Sequence, residues 1–94
     1  MSRIAISRQH TLSPDQARSV IEHIADSLQR KFGVTPRWDG DTLHFSRSGV
    51  DGAIALGDGQ VDINATLGLL LSPLKPTVEA EIQRKLDEYF PAAQ

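Results

Sequence analysis

Val61-Asp62-Ile63-Asn64-Ala65-Thr66-Leu67 is the stretch of sequence that decides the fold. Apolar and polar residues alternate along it, and successive side chains of a β-strand point to opposite faces of a sheet. The odd-numbered positions therefore predict an apolar face, and the even-numbered positions predict a polar one. A strand of this kind is typical of an antiparallel sheet that is covered on one side only.

Three more strands are predicted on the N-terminal side of this stretch, at 35–39, 42–47 and 53–56. The segments between the strands are rich in glycine and aspartate, which is typical of hairpin turns. Turns are predicted at 39–41 and 57–59, and a turn or bulge at 48–52. A further short strand, 3–8, is predicted near the N-terminus because Ile4 and Ile6 alternate with polar or small residues.

Two amphipathic helices flank the strands. Ser13, Pro14 and Gln16 form a capping box with proline at the first helical position, and Gly33 is a natural stop, which predicts a helix over 14–32. A second helix is predicted after Gly68. Its apolar face is formed by Leu71, Leu74, Val78, Ile82, Leu86 and Tyr89. Glu81–Lys85 and Arg84–Glu88 pairs are expected on its outer face, and Pro91 is expected to end it before a tail at 92–94.

The predicted fold is a single α+β domain over residues 1–94, with the element order β-α-β-β-β-β-α. Two helices cover one face of an antiparallel sheet in a two-layer sandwich, and the expected strand order is 1-5-4-3-2. The expected core includes Ile24, Leu28, Phe45, Ile63 and Ile82. The side chains expected on the sheet face away from the helices are Thr42, His44, Ser46, Asp62, Asn64 and Thr66.

Composition restricts the classes of function. The 94 residues include no cysteine, which excludes disulfides, thiolate metal sites and cysteine nucleophiles. A net charge of −2 argues against a nucleic-acid binder. The longest apolar run is Leu69-Leu70-Leu71, whereas a membrane span needs about 20 residues. No secretory signal is visible at the N-terminus, so a cytoplasmic location is predicted.

The sequence predicts no metal, cofactor or catalytic residue. His10 and His23 are expected at the surface. His44 is expected near Asp62 on the polar sheet face, where such a pair could act in acid–base chemistry, although a solvated face is the simpler interpretation. The turns at 39–41 and 57–59 match neither an EF-hand loop nor a phosphate-binding loop.

Four leucines within six residues, Leu69, Leu70, Leu71 and Leu74, form the most suggestive stretch. They cannot all enter one core from the start of a helix, so either some are exposed for a partner or apolar ligand, or they plug the end of the sandwich. Leu70 lies off the centre of the helical stripe and is expected to be the most exposed. Trp38, the only tryptophan, is expected at the core edge, with ligand stacking or a partner contact as the alternative. The predicted ligand- or partner-binding residues are therefore Leu69, Leu70, Leu71 and Trp38.

Several of these stretches resemble a known family. Trp38-Asp39-Gly40-Asp41-Thr42-Leu43-His44-Phe45-Ser46-Arg47, followed by Ser48-Gly49-Val50-Asp51-Gly52, resembles a block typical of the polyhydroxyalkanoic acid system family of small bacterial proteins. Leu67-Gly68-Leu69-Leu70-Leu71 and Val78-Glu79-Ala80-Glu81-Ile82 are similar too, and the resemblance covers residues 3–90. It implies association with polyhydroxyalkanoate storage granules, and it carries over no catalytic residue. The long alanine-rich helices of phasins are absent.

Three hypotheses follow. The first is a non-enzymatic accessory protein that contacts a granule, a granule-associated protein or an acyl chain through the leucines. The second is a small helix-grip-like domain that binds an apolar ligand between sheet and helices. The third is an enzyme that uses the His44 sheet face. Exposed leucines favour the first, a sizeable apolar cavity the second, and a close His44–Asp62 pair the third.

Overall fold

The computed structural model describes residues 2–90 as a five-stranded antiparallel sheet with two α-helices. The elements are β1 (Ser2–Gln9), α1 (Pro14–Phe32), β2 (Thr35–Asp39), β3 (Thr42–Arg47), β4 (Val50–Gly57), β5 (Gln60–Leu67), a 3-10 helical leucine segment (Leu69–Leu74) and α2 (Lys75–Tyr89). The strand order, β1-β5-β4-β3-β2, is the predicted one. The expectations for Pro91 and for 92–94 fall outside the described residues.

Helix α1 begins and ends where its capping residues predict. The Ser13 hydroxyl accepts a hydrogen bond from the Gln16 N–H at 3.2 Å, and the Gln16 side chain accepts one from the Ser13 N–H at 3.2 Å. At the other end, Gly33 has a φ of 74°, and its N–H donates to the Gln29 carbonyl. Glycine adopts this left-handed conformation without the steric cost that other residues meet, so the helix ends here.

The core lies between the apolar sheet face and both helices. The five residues predicted for it are each at most 2% exposed, namely Ile24, Leu28, Phe45, Ile63 and Ile82. Gly52 on β4 makes room for the ring of Phe45, its cross-strand partner on β3, because a Cβ at Gly52 would collide with that ring. The six side chains predicted for the other sheet face are exposed or half-buried.

Strand β4 is longer than its sequence pattern predicts. Arg47 pairs directly with Val50, so Ser48 and Gly49 alone form the loop of the β3–β4 hairpin. Gly49 has a φ of 86°, a left-handed conformation that glycine adopts without the steric cost other residues meet. Residues 50–52 therefore join the ladder, and of the two alternatives predicted for 48–52, a turn or a bulge, the structure has a turn, confined to 48–49.

Glu81 was predicted to pair with Lys85 on the outer face of α2, and this prediction is wrong. Its carboxylate is 7% exposed and faces α1, where it accepts hydrogen bonds from Ser27 Oγ at 2.6 Å and Lys31 Nζ at 2.8 Å. Arg84 Nη2 donates to the same carboxylate at 2.7 Å. Hydrogen bonds from Arg84, Lys31 and Ser27, in that order, lower the pKa of Glu81 to about 2. The carboxylate thus joins the two helices.

His10 is also placed differently from its prediction. Its side chain is buried, with 8% exposed, and its ring stacks on Phe90 with 4.7 Å between ring centroids. The His10 N–H donates to the Gly59 carbonyl at 3.0 Å, which continues the β1–β5 pairing past the end of the strand. This pairing holds His10 beneath the C-terminal end of α2. His23 is exposed as predicted.

Candidate functional site

The leucine segment lies at the end of the sandwich where β5 stops. Gly68 redirects the chain there, and its N–H donates to the Gly49 carbonyl at 2.8 Å in the β3–β4 turn. The Gly68 carbonyl then accepts hydrogen bonds from the Leu71 N–H at 3.0 Å and from Ser72 Oγ at 3.1 Å. The start of the segment is therefore fixed to the hairpin.

The leucines of the segment differ widely in exposure. Leu70 is 93% exposed and Leu69 is 77% exposed, whereas Leu67 at the end of β5 is 1% exposed. The prediction that the three leucines are not all buried, with Leu70 the most exposed, is confirmed. Leu69, Leu70 and Leu74, the last at 39%, are the exposed large apolar side chains within residues 2–90.

The 3-10 geometry explains this division. The leucines were expected at the start of the second α-helix, but α2 begins only at Lys75. In a 3-10 helix, side chains three positions apart lie on the same side. Leu71 and Leu74 therefore lie on the same side, where both line a cavity over the core, although Leu74 stays partly exposed, and Leu69 and Leu70 point away from it.

Beneath Leu71 and Leu74 lies a small apolar cavity. Its volume is about 30 Å³, and its lining also includes Leu28, Phe32 and Val34. An engineered apolar cavity that binds benzene is about 150 Å³, so this one is too small for even a benzene-sized ligand. An acyl chain would enter only if the leucine segment moved.

Arg47 borders the exposed leucines. It lines the same surface hollow as Leu69 and Leu70. Its Nη1 donates to the Phe32 carbonyl at 2.8 Å, and its Nε donates to the Ser48 carbonyl at 3.3 Å. The guanidinium thereby satisfies a carbonyl at the C-terminal end of α1 and is held in place beside the leucine segment.

Trp38 is half-buried and lies apart from the leucines. The Arg18 guanidinium stacks over its ring, with the carbon Cζ 3.7 Å from the ring centroid, and donates to the Gly40 carbonyl at 3.4 Å. This cation–π contact covers one face of the indole. Trp38 borders a different hollow, beside Glu22 and Ala25 of α1, so the structure does not join it to the leucine segment.

The structure does not bring His44 and Asp62 together. In the sheet register His44 of β3 pairs with Ala53 of β4, whereas Asp62 lies on β5, two strands from β3, and pairs with Ala55. Asp62 instead accepts hydrogen bonds from Ser7 Oγ at 2.6 Å and Gln60 Nε2 at 3.0 Å, which lower its pKa. Across residues 2–90, no cluster of three His, Asp or Glu side chains has an arrangement that could hold a metal ion.

The chain matches the model of a known protein family over most of its length. The family model described as “Putative polyhydroxyalkanoic acid system protein” matches residues 4–90. The chain belongs to this family. No curated protein and no solved structure matches the chain significantly. The resemblance noted in the sequence is thus confirmed, and the matched part of this polyhydroxyalkanoic acid system protein includes the leucine segment and the hairpin beneath it.

Neither α1 nor α2 of this family member combines the length and apolar character that a membrane-crossing helix requires. Within residues 2–90 its exposed large apolar side chains all lie in the leucine segment, since the others are buried or half-buried. The leucine segment is therefore the candidate site.

Proposed function

We propose that this protein is a non-enzymatic accessory protein of polyhydroxyalkanoate metabolism that attaches to a storage granule through Leu69 and Leu70. The observation that carries the proposal is the exposure of these two adjacent side chains, 77% and 93%. Membership of the family points to the polyhydroxyalkanoate system. The leucine segment offers apolar side chains that no other part of the domain covers.

The energetics favour an external contact. Complete burial of one leucine contributes about 1.5–3 kcal/mol, so an exposed pair leaves roughly twice that free energy available to a partner. The segment is already held by the Gly68–Gly49 and Ser72–Gly68 hydrogen bonds. Attachment therefore costs less conformational entropy than the ordering of a flexible loop would.

Two partners fit this surface: the polymer and a protein on the granule. Protease treatment of isolated granules separates them. Attachment to the polymer survives removal of the granule proteins, whereas attachment to a granule protein does not. An acyl chain is a weaker candidate, because the cavity of about 30 Å³ under Leu71 is too small to receive one.

A capture experiment tests the proposal in cells. Tagged protein is recovered from a polymer-producing strain and from a strain that lacks the polymer, and co-purifying granule material is measured. We expect granule material with the wild-type protein in the producing strain only, and its loss in Leu70→Asp. Thr11→Asp is the matched control, since it adds the same charge at an exposed position beyond the opposite end of β1. Equal recovery by all three proteins would contradict the proposal.

A further inference from the structure

We propose that the leucine segment inserts into an interface of anionic lipid, with Arg47 and Lys75 binding the lipid head groups. This inference rests on the proposed function in one respect, the use of Leu69 and Leu70 as the inserted side chains. It adds the chemistry of the surface that they meet.

The cations of this protein fall into two groups. Six of its ten lysines and arginines lie within 4.0 Å of a carboxylate oxygen, namely Arg8, Arg18, Arg30, Lys31, Arg84 and Lys85. Among the described residues, the other four form no such pair. Arg3 and Arg37 are exposed on β1 and β2 at positions that alternate with inward-facing ones. Arg47 and Lys75 border the leucine segment.

Arg47 is placed to bind an anion beside the leucines. Its Nη1 and Nε are used by backbone carbonyls, which fix the guanidinium, and Nη2 has no hydrogen-bond partner within residues 2–90. Asp51 borders a neighbouring hollow with Arg47 but forms no ion pair with it there. A fixed guanidinium with a free N–H edge suits a phosphate oxygen.

Lys75 is the second unpaired cation next to the leucine segment. It follows Leu74 directly as the first residue of α2, and the first turn of α2 contains no acidic residue. Two cations thus adjoin the leucine segment: Arg47 lines a surface hollow with Leu69 and Leu70, and Lys75 follows the last residue of the segment. The chain as a whole has a net charge of −2, so attraction to an anionic surface is restricted to a part of the molecule such as this one.

The shape of the patch favours a lipid interface over a protein groove. Leu69 and Leu70 project from the end of the domain with 77% and 93% exposure, and the hollow that they line with Arg47 lies at the surface. A fluid lipid interface can surround two projecting side chains and needs no pocket of complementary shape. Apolar side chains beneath the head groups, with flanking cations at head-group level, form the usual interfacial arrangement.

Vesicle flotation tests the inference. We expect the protein to bind vesicles of phosphatidylcholine mixed with phosphatidylglycerol more tightly than vesicles of phosphatidylcholine alone, and less tightly as salt is raised. Lys75→Gln and Arg47→Gln should each weaken anionic-vesicle binding about fivefold. Arg37→Gln is the matched control and should leave binding unchanged. Lys75→Gln is the cleaner variant, because the Lys75 side chain makes no hydrogen bond or ion pair within residues 2–90.

Binding to polymer particles, measured beside binding to vesicles, distinguishes failure of this inference from failure of the proposed function. Lipid-free, protein-free polyester particles are mixed with the wild type and with Leu70→Asp. If Leu70 is needed on the particles while vesicle charge, Lys75 and Arg47 have no effect, the lipid inference is overturned and the granule attachment stands. If folded Leu70→Asp binds particles and vesicles as the wild type does, the role of the leucines is overturned in both.

Discussion

Leu71 lies directly over Gly49. A Cβ built on Gly49 would be 3.0 Å from Leu71 Cδ1 and 3.4 Å from its Cγ. This contact locks the leucine segment onto the β3–β4 hairpin, so the exposed leucines are presented by a fixed surface. A glycine is needed at this position both for the contact and for the positive φ of the turn.

Gly49→Ala should therefore lower the free energy of unfolding by about 1–3 kcal/mol, the usual cost of a left-handed conformation outside glycine. Chemical denaturation measures this change. Gly40→Ala is the control, since Gly40 has a φ of 63° and no atom within 4 Å of its Cβ position. If the contact with Leu71 matters, Gly49→Ala costs more than Gly40→Ala; equal costs would show that backbone strain alone is responsible.

Ile63 lies on the apolar face of the strand that decides the fold, and it is 1% exposed. Ile63→Ala should lower the free energy of unfolding by about 2–5 kcal/mol, because it removes buried methyl groups and leaves a cavity. Asn64→Ala, the next residue on the opposite face, should change stability by no more than about 0.5 kcal/mol. Similar melting temperatures for the two variants would contradict the assigned strand register.

The buried Glu81 should make stability depend on pH. Its pKa falls from 4.5 in its ordinary state to about 2 in the folded protein. A depressed pKa stabilises the fold above pH 4.5, and this stabilisation is lost as pH falls towards 2. Between these values the free energy of unfolding should fall by about 1.4 kcal/mol per pH unit through this group.

Glu81→Gln is the variant that tests this dependence in denaturation curves taken across that pH window. It should be less stable than the wild type at neutral pH. Its free energy of unfolding should also fall less than that of the wild type as the pH is lowered. In Glu81→Gln a weaker dependence of the free energy of unfolding on pH should remain, because Asp62 also has a lowered pKa. An unchanged slope in Glu81→Gln would contradict the assigned role of the buried carboxylate.

Local patterns were sufficient to predict the sheet and the limits of α1. Alternation along 61–67 identifies its two faces, the hairpin turns set the order of the following strands, and the Ser13 capping box marks the start of the helix. These features depend on residues close together in the chain. The exposure of Leu70 was predictable for a related reason, since four neighbouring leucines exceed what one helix face can bury.

The sequence predictions failed where burial depends on a distant partner. Glu81 looked like an outer-face residue by its charge, yet Ser27 and Lys31, one turn apart on α1, form a polar line that receives it. That spacing is a usable signal only once α1 and α2 are known to pack together. His10 is buried by Phe90, and Arg47 is fixed by Phe32; both contacts arise only when the chain folds.

The central claim, attachment through the leucine segment, is tested most directly by co-sedimentation of purified protein with isolated polyhydroxyalkanoate granules. The partition coefficient of Leu70→Asp is compared with that of Thr11→Asp, after thermal denaturation has shown that both are folded. We predict that Thr11→Asp partitions as the wild type does and that Leu70→Asp partitions at least about tenfold less, since it loses one buried leucine and introduces a charge. Equal partition of the two variants would contradict the account.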